Sequence, residues 1–128
     1  MTIILDSSAI LSLVLAEPGA EIVAGELHRA ITSTVMVAEV YGYAARNGLP
    51  LDAFDDFFDL PQIEVVPLGR AEAVVAGILI VQTRAAGLSL GDRCCLALAK
   101  SRGCGVLTGD RNWATCADEL DIPVRLIR

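Results

Sequence analysis

Two aspartates follow apolar runs of similar length near opposite ends of the chain. Asp6 comes directly after Ile3–Leu5, and Asp110 comes shortly after Gly105–Thr108. Apolar runs without polar alternation are typical of strands buried on both faces of a parallel sheet. Sheets of this kind bind ligands at the carboxyl ends of their strands. The two carboxylates are therefore predicted to lie at the ligand-binding edge of one sheet.

Two further acids, Glu39 and Asp92, fall on predicted helices. Asp92 lies in the first turn of an apolar helix opened by Ser89 or Gly91, where the helix dipole favours a negative charge. Glu39 lies one turn into a helix predicted over Val35–Arg46, among mostly apolar neighbours. Taken singly, each acid has an ordinary explanation as a cap, a turn residue or a solvated side chain.

Four carboxylates gathered in one place would require a cation. Two unit charges ~4 Å apart repel by about 4 kcal/mol at an effective dielectric constant near 20. The chain has no Cys-x-x-Cys motif, and its single histidine, His28, lies away from the acids in sequence. Ligands that are all oxygen favour Mg²⁺ or Mn²⁺. Such an ion polarises a phosphoryl oxygen and lowers the pKa of a bound water, which is the chemistry of phosphodiester hydrolysis.

Composition indicates one globular domain. A chain of 128 residues with 54% hydrophobic residues is long and apolar enough to bury a core, and it is not of a disordered class. Asp6 and Glu17 interrupt the apolar N-terminal stretch, so it does not reach the ~18 apolar residues of a membrane span, and it lacks the basic segment of a signal peptide. Cys94 and Cys95, which are adjacent in an apolar predicted helix, are expected to be small core residues in a reducing cytoplasm.

The net charge of −6 gives no support to broad, sequence-independent coating of nucleic acid. It is compatible with a local, metal-dependent phosphate site. All basic residues except Lys100 are arginines, which suit bidentate phosphate contacts.

Strands and helices alternate along the sequence, which predicts a parallel α/β sheet covered on both sides. Strands are predicted at residues 3–5, 30–32, 63–67, 105–108 and 123–127, and helices at 8–16, 20–29, 35–46, 51–60, 69–86, 89–102 and 112–120. Ser7 and Ser8 are the predicted N-caps of the first helix. The apolar side of the helix at 69–86 is predicted to consist of Val74, Val75, Ile78 and Val81.

Four motifs of the chain resemble those of the PIN-domain nucleases. They are Ile-Leu-Asp-Ser-Ser-Ala at 4–9, Val-Ala-Glu-Val at 37–40, Leu-Ser-Leu-Gly-Asp-Arg-Cys-Cys-Leu-Ala-Leu-Ala at 88–99, and Leu-Thr-Gly-Asp-Arg-Asn-Trp at 107–113. The resemblance extends over essentially the whole chain, and the last two motifs are the most specific. In length and coverage the sequence is similar to the VapC-type ribonuclease toxins of toxin–antitoxin systems.

The resemblance implies a fold, an activity and a set of partners. The implied fold is a three-layer α/β/α sandwich whose mainly parallel five-stranded sheet has the first strand at its centre, in a single PIN-like domain over residues 1–128. The implied activity is Mg²⁺- or Mn²⁺-dependent endoribonuclease cleavage of RNA. The implied partners are a second copy of the chain and a cognate antitoxin that reaches into the active site. Carried over by position, the catalytic and metal-binding residues are Asp6, Glu39, Asp92 and Asp110, with Ser7, Thr108 and Asn112 in support.

Some apolar residues exceed what a small core needs, and part of the surface they form is expected to bind the antitoxin or the second subunit. They are Leu11, Leu13, Val14 and Leu15 near the first helix, and Phe54, Phe57 and Phe58.

Three other classes of protein remain open at this point. A phosphoacceptor receiver domain needs an acidic pair near its first strand and a lysine near its last, whereas serine follows Asp6 and the last strand has no lysine. A haloacid-dehalogenase-like phosphatase would use Asp6 as nucleophile and needs a second aspartate where Ser8 stands. The third class is a non-catalytic binding module. Metal-dependent cleavage of RNA separates a nuclease from all three.

Overall fold

A computed structural model describes residues 1–128, and its strands form one five-stranded sheet. The strands are β1 (Ile3–Leu5), β2 (Ala30–Ser33), β3 (Glu64–Val66), β4 (Gly105–Thr108) and β5 (Val124–Leu126). Their order across the sheet is β3-β2-β1-β4-β5, and every pairing is parallel. The predicted α/β fold with a central first strand is confirmed, and the sheet is wholly parallel.

Helices make all the connections between strands, because a parallel pair can be joined only by a chain that crosses back over the sheet. The eight α-helices are α1 (Ser7–Val14), α2 (Ala20–Glu26), α3 (Thr34–Arg46), α4 (Asp52–Phe58), α5 (Arg70–Ile78), α6 (Ile80–Thr83), α7 (Leu90–Arg102) and α8 (Ala117–Leu120). Three 3₁₀ helices add to them at Leu27–Arg29, Arg84–Ala86 and Arg111–Thr115. No helix combines the length and the apolar character needed to cross a bilayer.

The middle of the sheet is completely buried. Ile4 of β1 pairs in register with Ile31 of β2 on one side and with Val106 of β4 on the other. The chain moves from β1 towards β2 and β3, and later returns to place β4 on the opposite side of β1. Such a reversal of strand order opens a crevice outside the carboxyl ends of the two strands. The fold therefore provides a ligand site where β1 and β4 end.

The predicted partner-binding phenylalanines belong to the core instead. Phe54 and Phe57 are buried, and Phe58 is half-buried with its ring stacked on Tyr41 at a centroid distance of 5.9 Å. The four apolar residues near the first helix are only partly buried and pack against the same core. Burial of a large aromatic side chain stabilises a small domain strongly, so the core uses these rings itself. Cys94 and Cys95 are buried as predicted, and Cys116 is buried as well.

The helix predicted at 69–86 is interrupted, and its predicted apolar side is mostly exposed, since only Val75 of the four residues is partly buried against the core. Ala76, Leu79 and Thr83 are buried, and α7 is held against α5 by a hydrogen bond of 2.9 Å from Arg93 Nε to the carbonyl oxygen of Ala76. Leu79 is the one large apolar residue of this buried row, whereas Val74, Ile78 and Val81 face outward. The exposed apolar stripe, as we call it, consists of Val74, Ile78 and Val81, which are 54%, 65% and 78% exposed.

Candidate active site

Asp6 is itself the N-cap of α1. Its backbone has extended geometry, and its Oδ1 accepts a hydrogen bond of 2.8 Å from the amide of Ala9. The helix consequently begins at Ser7, one residue earlier than predicted, and neither Ser7 nor Ser8 is its cap. The capping bond fixes the orientation of the Asp6 carboxylate relative to the helix, since it satisfies a free amide of the first turn.

Two hydroxyl groups complete the surroundings of Asp6. Ser8 donates to Oδ1 at 2.6 Å, and Thr108, at the end of β4, donates to Oδ2 at 2.5 Å. Asp6 is only 3% exposed, so its charge depends on these donors for solvation. Residues at the ends of both β1 and β4 therefore hold the Asp6 carboxylate in place. Thr108 lies where the sequence predicted a support, whereas the role of Ser8 was not predicted.

The turn after β4 places Asp110 beside this network. The amide of Asp110 donates to the Thr108 hydroxyl oxygen at 3.0 Å, and the amide of Gly109 donates to the Ser8 hydroxyl oxygen at 2.7 Å. Asp110 Oδ1 accepts from the amide of Asn112 at 2.9 Å and so caps the following 3₁₀ helix. Asp110 Oδ2 has no protein donor. Asn112 contributes its backbone amide here, while its side chain is exposed.

Asp92 joins the site through a capping box at the start of α7. The Ser89 amide donates to Asp92 Oδ2 at 2.9 Å, and the Asp92 amide donates to the Ser89 hydroxyl oxygen at 3.1 Å. This reciprocal pair satisfies two amide groups of the helix terminus and confirms the predicted first-turn position of Asp92. One carboxylate oxygen, Oδ1, is left without a protein donor.

Glu39 lies on α3, whose N-cap is Ser33, with its hydroxyl accepting from the amide of Met36. Its carboxylate packs against Gly91, so closely that a Cβ at position 91 would lie 2.2 Å from Oε2. Glu39 Oε1 is buried and has no hydrogen-bond partner within the protein. An unpartnered buried carboxylate oxygen is costly unless a ligand satisfies it. Gly91 was not predicted as a site residue, although a glycine next to Asp92 in the first turn of a buried helix was the available signal.

The charges of three carboxylates act on one another. Burial, together with the nearby charge of Asp92, raises the pKa of Asp6 to about 6, while the hydrogen bonds from Ser8, Thr108 and the Ala9 amide oppose the increase. Burial and the same Asp92 charge also raise the pKa of Glu39, and the Ser7 hydroxyl lowers it. Asp92 thus lies near enough to influence both of the other acids.

The four predicted acids are gathered at this crevice to different degrees. Burial raises the pKa of the Cys95 thiol, and the charges of Asp6, Asp92, Glu39 and Cys104 raise it further. Asp110 is connected to Asp6 only through the Thr108 hydroxyl. As the side chains lie, no three acidic, imidazole or thiol groups converge closely enough to coordinate one ion.

The chemistry of the donor set nevertheless fits a hard divalent cation. Every candidate ligand is a carboxylate oxygen, and free acceptor positions remain on Glu39, on Asp92 Oδ1 and on Asp110 Oδ2. Mg²⁺ and Mn²⁺ prefer such ligands. His28 lies on the 3₁₀ helix that precedes β2, so it is at the opposite edge of the sheet and is not a candidate ligand here.

Comparison with known proteins identifies the family. The PIN domain model matches residues 3–119. The fold is shared with a chain of a toxin–antitoxin complex from Klebsiella pneumoniae, at 16% identity and a TM-score of 0.75. The match covers 99% of this chain and 98% of that one. DNA-bound VapBC from Salmonella typhimurium gives 19% identity, 100% and 99% coverage and a TM-score of 0.74. VapC20 from Mycobacterium tuberculosis, a sarcin-ricin loop cleaving toxin, gives 15% identity, 89% and 94% coverage and a TM-score of 0.75. Comparison with curated protein sequences finds no match. The chain belongs to the PIN-domain family.

Proposed function

We propose that the protein is a metal-dependent endoribonuclease and the toxin component of a type II toxin–antitoxin system. The observation that carries the proposal is the group of interacting carboxylates, Asp6, Glu39 and Asp92, beside Asp110 in the crevice between β1 and β4. In a PIN-domain chain, this is where an open α/β sheet binds its ligand. The sandwich over residues 1–128 acts as a single domain.

The four acids are the proposed holders of Mg²⁺ or Mn²⁺. Such an ion would offset their mutual repulsion and stabilise the negative charge that develops on a phosphodiester during hydrolysis. Of the four, Asp6 is held most firmly, because each of its oxygens accepts a hydrogen bond from a hydroxyl group. Glu39 keeps an unpartnered oxygen in the site. Thr108 and Ser8 act as positioning residues, since they fix Asp6 and join both strand ends.

A nuclease in this crevice works without a histidine. No imidazole lies at the carboxyl edge of the sheet, and the side chains of Asp6 and Glu39 are acids whose pKa values are raised. Burial in the crevice limits the access of bulk water, which strengthens electrostatic interactions with a bound phosphate. The protein's contribution is therefore mainly the fixed arrangement of charged oxygens.

The proposed partners are a cognate antitoxin and a second copy of the chain in the cytoplasm. The antitoxin is supported by the similar structures, which include a toxin–antitoxin complex and a DNA-bound VapBC complex. The second copy is supported by the exposed apolar stripe, because contiguous exposed apolar side chains can mark a protein–protein interaction site.

Cleavage of structured RNAs in the presence and absence of Mg²⁺ tests the proposal. Asp92→Asn should abolish cleavage, whereas the matched change Asp118→Asn on α8 should not, because Asp118 is exposed and far from the crevice in the fold. Activity that persists in EDTA would contradict metal dependence. Cleavage by Asp92→Asn at the wild-type rate would contradict the assignment of the site.

A further inference from the structure

A groove with a volume of about 400 Å³ lies between α1 and α3 and reaches the carboxylate group. One end holds acidic and hydroxyl groups, while the other holds an aromatic ring and a guanidinium. The lining residues that matter are Ser7 and Leu11 of α1, and Glu39, Gly42, Tyr43 and Arg46 of α3.

The groove follows one face of α3. Glu39, Tyr43 and Arg46 are separated by four and three residues, so they lie above one another on the same side of the helix. At 1.5 Å per residue, Tyr43 is ~6 Å and Arg46 ~10 Å along the axis from Glu39. Stacked nucleotides of one strand are ~3.4 Å apart, so a strand cleaved beside Glu39 would bring neighbouring nucleotides to both residues.

Arg46 carries a positive charge that the protein does not neutralise. The ion pairs of the chain join Arg29 and Arg125 to Glu26, and Arg128 to Glu17. Arg46 is exposed, and its guanidinium lies over the Tyr43 ring at 5.7 Å from the centroid. The ring holds the cation in the groove and leaves its donors free.

Because the whole protein is negatively charged, a polyanionic ligand needs a local positive group such as Arg46 in order to bind. The chain has a net charge of −6, and Glu39 stands at the end of the same groove. A nucleic acid strand would be repelled unless a local positive group offset this field. Arginine beside an aromatic ring is suited to phosphate contact and base stacking at one place.

We propose that Tyr43 and Arg46 form a nucleotide subsite that positions the RNA strand next to the cleaved phosphodiester. Arg46 contacts a backbone phosphate, and the Tyr43 ring stacks on a base. The inference rests on the proposed ribonuclease function and deepens it by giving the path of the substrate. Both residues are positioning residues, since neither reaches the phosphate that is cleaved.

The first test measures binding and cleavage of a short single-stranded oligoribonucleotide by charge variants. Arg46→Ala should raise KM roughly 10-fold or more with kcat little changed, as expected for loss of a charged hydrogen bond. It should also reduce the slope of log Kd against log salt by about 0.7, which corresponds to one phosphate contact on a single strand. Arg46→Lys should retain the salt slope. Arg102→Ala, at the far end of α7, is the matched control and should change neither quantity.

The second test blocks the groove without removing a functional group. A Cβ at Gly42 would meet no atom within 4 Å, so Gly42→Leu places a side chain in open space and should improve the helix propensity of α3. We expect this variant to fold with an unchanged or higher Tm and to bind RNA at least about 10-fold more weakly. Gly25→Leu on α2 is the control, because Gly25 is also an exposed helical glycine with no atom within 4 Å of its Cβ position. Tyr43→Phe should bind as the wild type does, whereas Tyr43→Ala should lose roughly 5-fold or more in affinity.

The outcomes separate this proposal from the ribonuclease function. If the wild type cleaves RNA and both Arg46→Ala and Gly42→Leu keep its KM and salt slope, the subsite is overturned and the nuclease assignment stands. Loss of antitoxin binding alone, with RNA kinetics intact, would also overturn it and assign the groove to the protein partner. If no RNA is cleaved or bound by the wild type with Mg²⁺, the proposed function itself fails.

Discussion

The Glu39 carboxylate lies against the backbone of Gly91, and no side chain fits between them. A Cβ on residue 91 would be 2.2 Å from Oε2 and 2.6 Å from Cδ of Glu39. Glycine thus allows α7 to approach α3 closely enough for two acids on different helices, Glu39 and the neighbouring Asp92, to share one site. Burial of the Glu39 carboxyl raises its pKa, and the Asp92 charge raises it further.

Gly91→Ala should damage the active site without unfolding the protein. The new methyl group displaces a flexible Glu39 side chain, and alanine improves helix propensity by up to about 1 kcal/mol, so the free energy of unfolding should stay within about 1 kcal/mol of the wild type. RNA cleavage should fall by at least ~10-fold, since ångström-scale displacement of a catalytic group is costly. Cleavage rate and chemical denaturation measure the two effects.

A double variant gives the decisive control for Gly91. If alanine acts by moving Glu39, then Gly91→Ala combined with Glu39→Gln should be no slower than Glu39→Gln alone. Independent, multiplicative losses would show that Gly91 affects catalysis by another route.

Thr108→Val should loosen the connection between β1 and β4. Valine has nearly the same shape but leaves Asp6 Oδ2 and the Asp110 amide without their shared hydroxyl partner. We expect a loss of about 1–3 kcal/mol in the free energy of unfolding, together with reduced cleavage. Ser12→Ala, which removes a different buried hydroxyl with one hydrogen bond to the Ala9 carbonyl, should lose stability but not activity. Equal activity of Thr108→Val and wild type would contradict the positioning role of Thr108.

Asp6→Asn should abolish cleavage and stabilise the metal-free protein at neutral and alkaline pH. Burial raises the pKa of Asp6 in the folded state to about 6, from 3.8. The folded protein therefore binds more protons than the unfolded chain between these values, and wild-type stability falls as the pH rises from about 4 to 6. At 1.36 kcal/mol per unit, the difference approaches about 3 kcal/mol above pH 6, less whatever hydrogen bonding asparagine loses.

Thermal melts of both proteins in EDTA from pH 4 to pH 8 check this dependence. The advantage of Asp6→Asn should be smallest near pH 4 and largest at pH 8. A constant difference across the range would mean that the Asp6 carboxylate does not titrate above its ordinary range in the folded state.

Most of the fold could be predicted from the sequence because its strands are short, apolar and separated by helices. Burying Ile3–Leu5 on both faces requires helical layers on each side, and that requirement holds whatever the details of the loops. The positions of Asp6 and Asp110 follow from the ends of their strands, so they too were predictable. Asp92 was predictable from helix polarity.

The wrong predictions concern segments whose local sequence pattern is compatible with more than one structure. Asp6, Ser7 and Ser8 are all good caps, and only the position of β4, with Thr108 reaching Asp6, decides between them. The segment from residue 70 to 86 is apolar on more than one side, so its period does not reveal the buried face. The folded chain buries Ala76, Leu79 and Thr83, which places Val81 outside. The contact of Gly91 with Glu39 joins residues 52 positions apart, and no local rule predicts it.

The rate of RNA cleavage should depend on which divalent metal ion is present, and it should not depend on His28. EDTA should abolish activity, and Mg²⁺ or Mn²⁺ should restore it, because both accept octahedral oxygen ligands. Ca²⁺ should bind but support little cleavage, since its coordination is larger and looser. His28→Ala should leave the rate and its pH profile unchanged, because His28 precedes β2 at the opposite edge of the sheet. Loss of activity in a folded His28→Ala protein would contradict this account.

The exposed apolar stripe should form the interface between two copies of the chain. Val74, Ile78 and Val81 are more than half exposed, whereas apolar residues elsewhere on the helices are mostly buried or half-buried. A standard interface covers ~800 Å² per partner, with apolar side chains at its centre and charged groups at its rim. Ile78→Glu and Val81→Glu would bury an unpaired carboxylate there at a cost of several kcal/mol. Each variant should therefore sediment as a monomer of 13.5 kDa where the wild type sediments as a dimer. At protein concentrations low enough for the wild type to be monomeric, the variants should have the same Tm as the wild type.

The control for the stripe is Ala24→Glu, which adds the same charge to an exposed position on α2 and should leave the dimer intact. A wild-type chain that sediments as a monomer at micromolar concentration would contradict self-association. A dimer that survives both glutamate variants would place its interface elsewhere. If the variants lose only antitoxin binding, the stripe belongs to the antitoxin. Because the stripe lies outside the carboxylate group, RNA cleavage by the monomeric variants shows directly whether one copy suffices for catalysis.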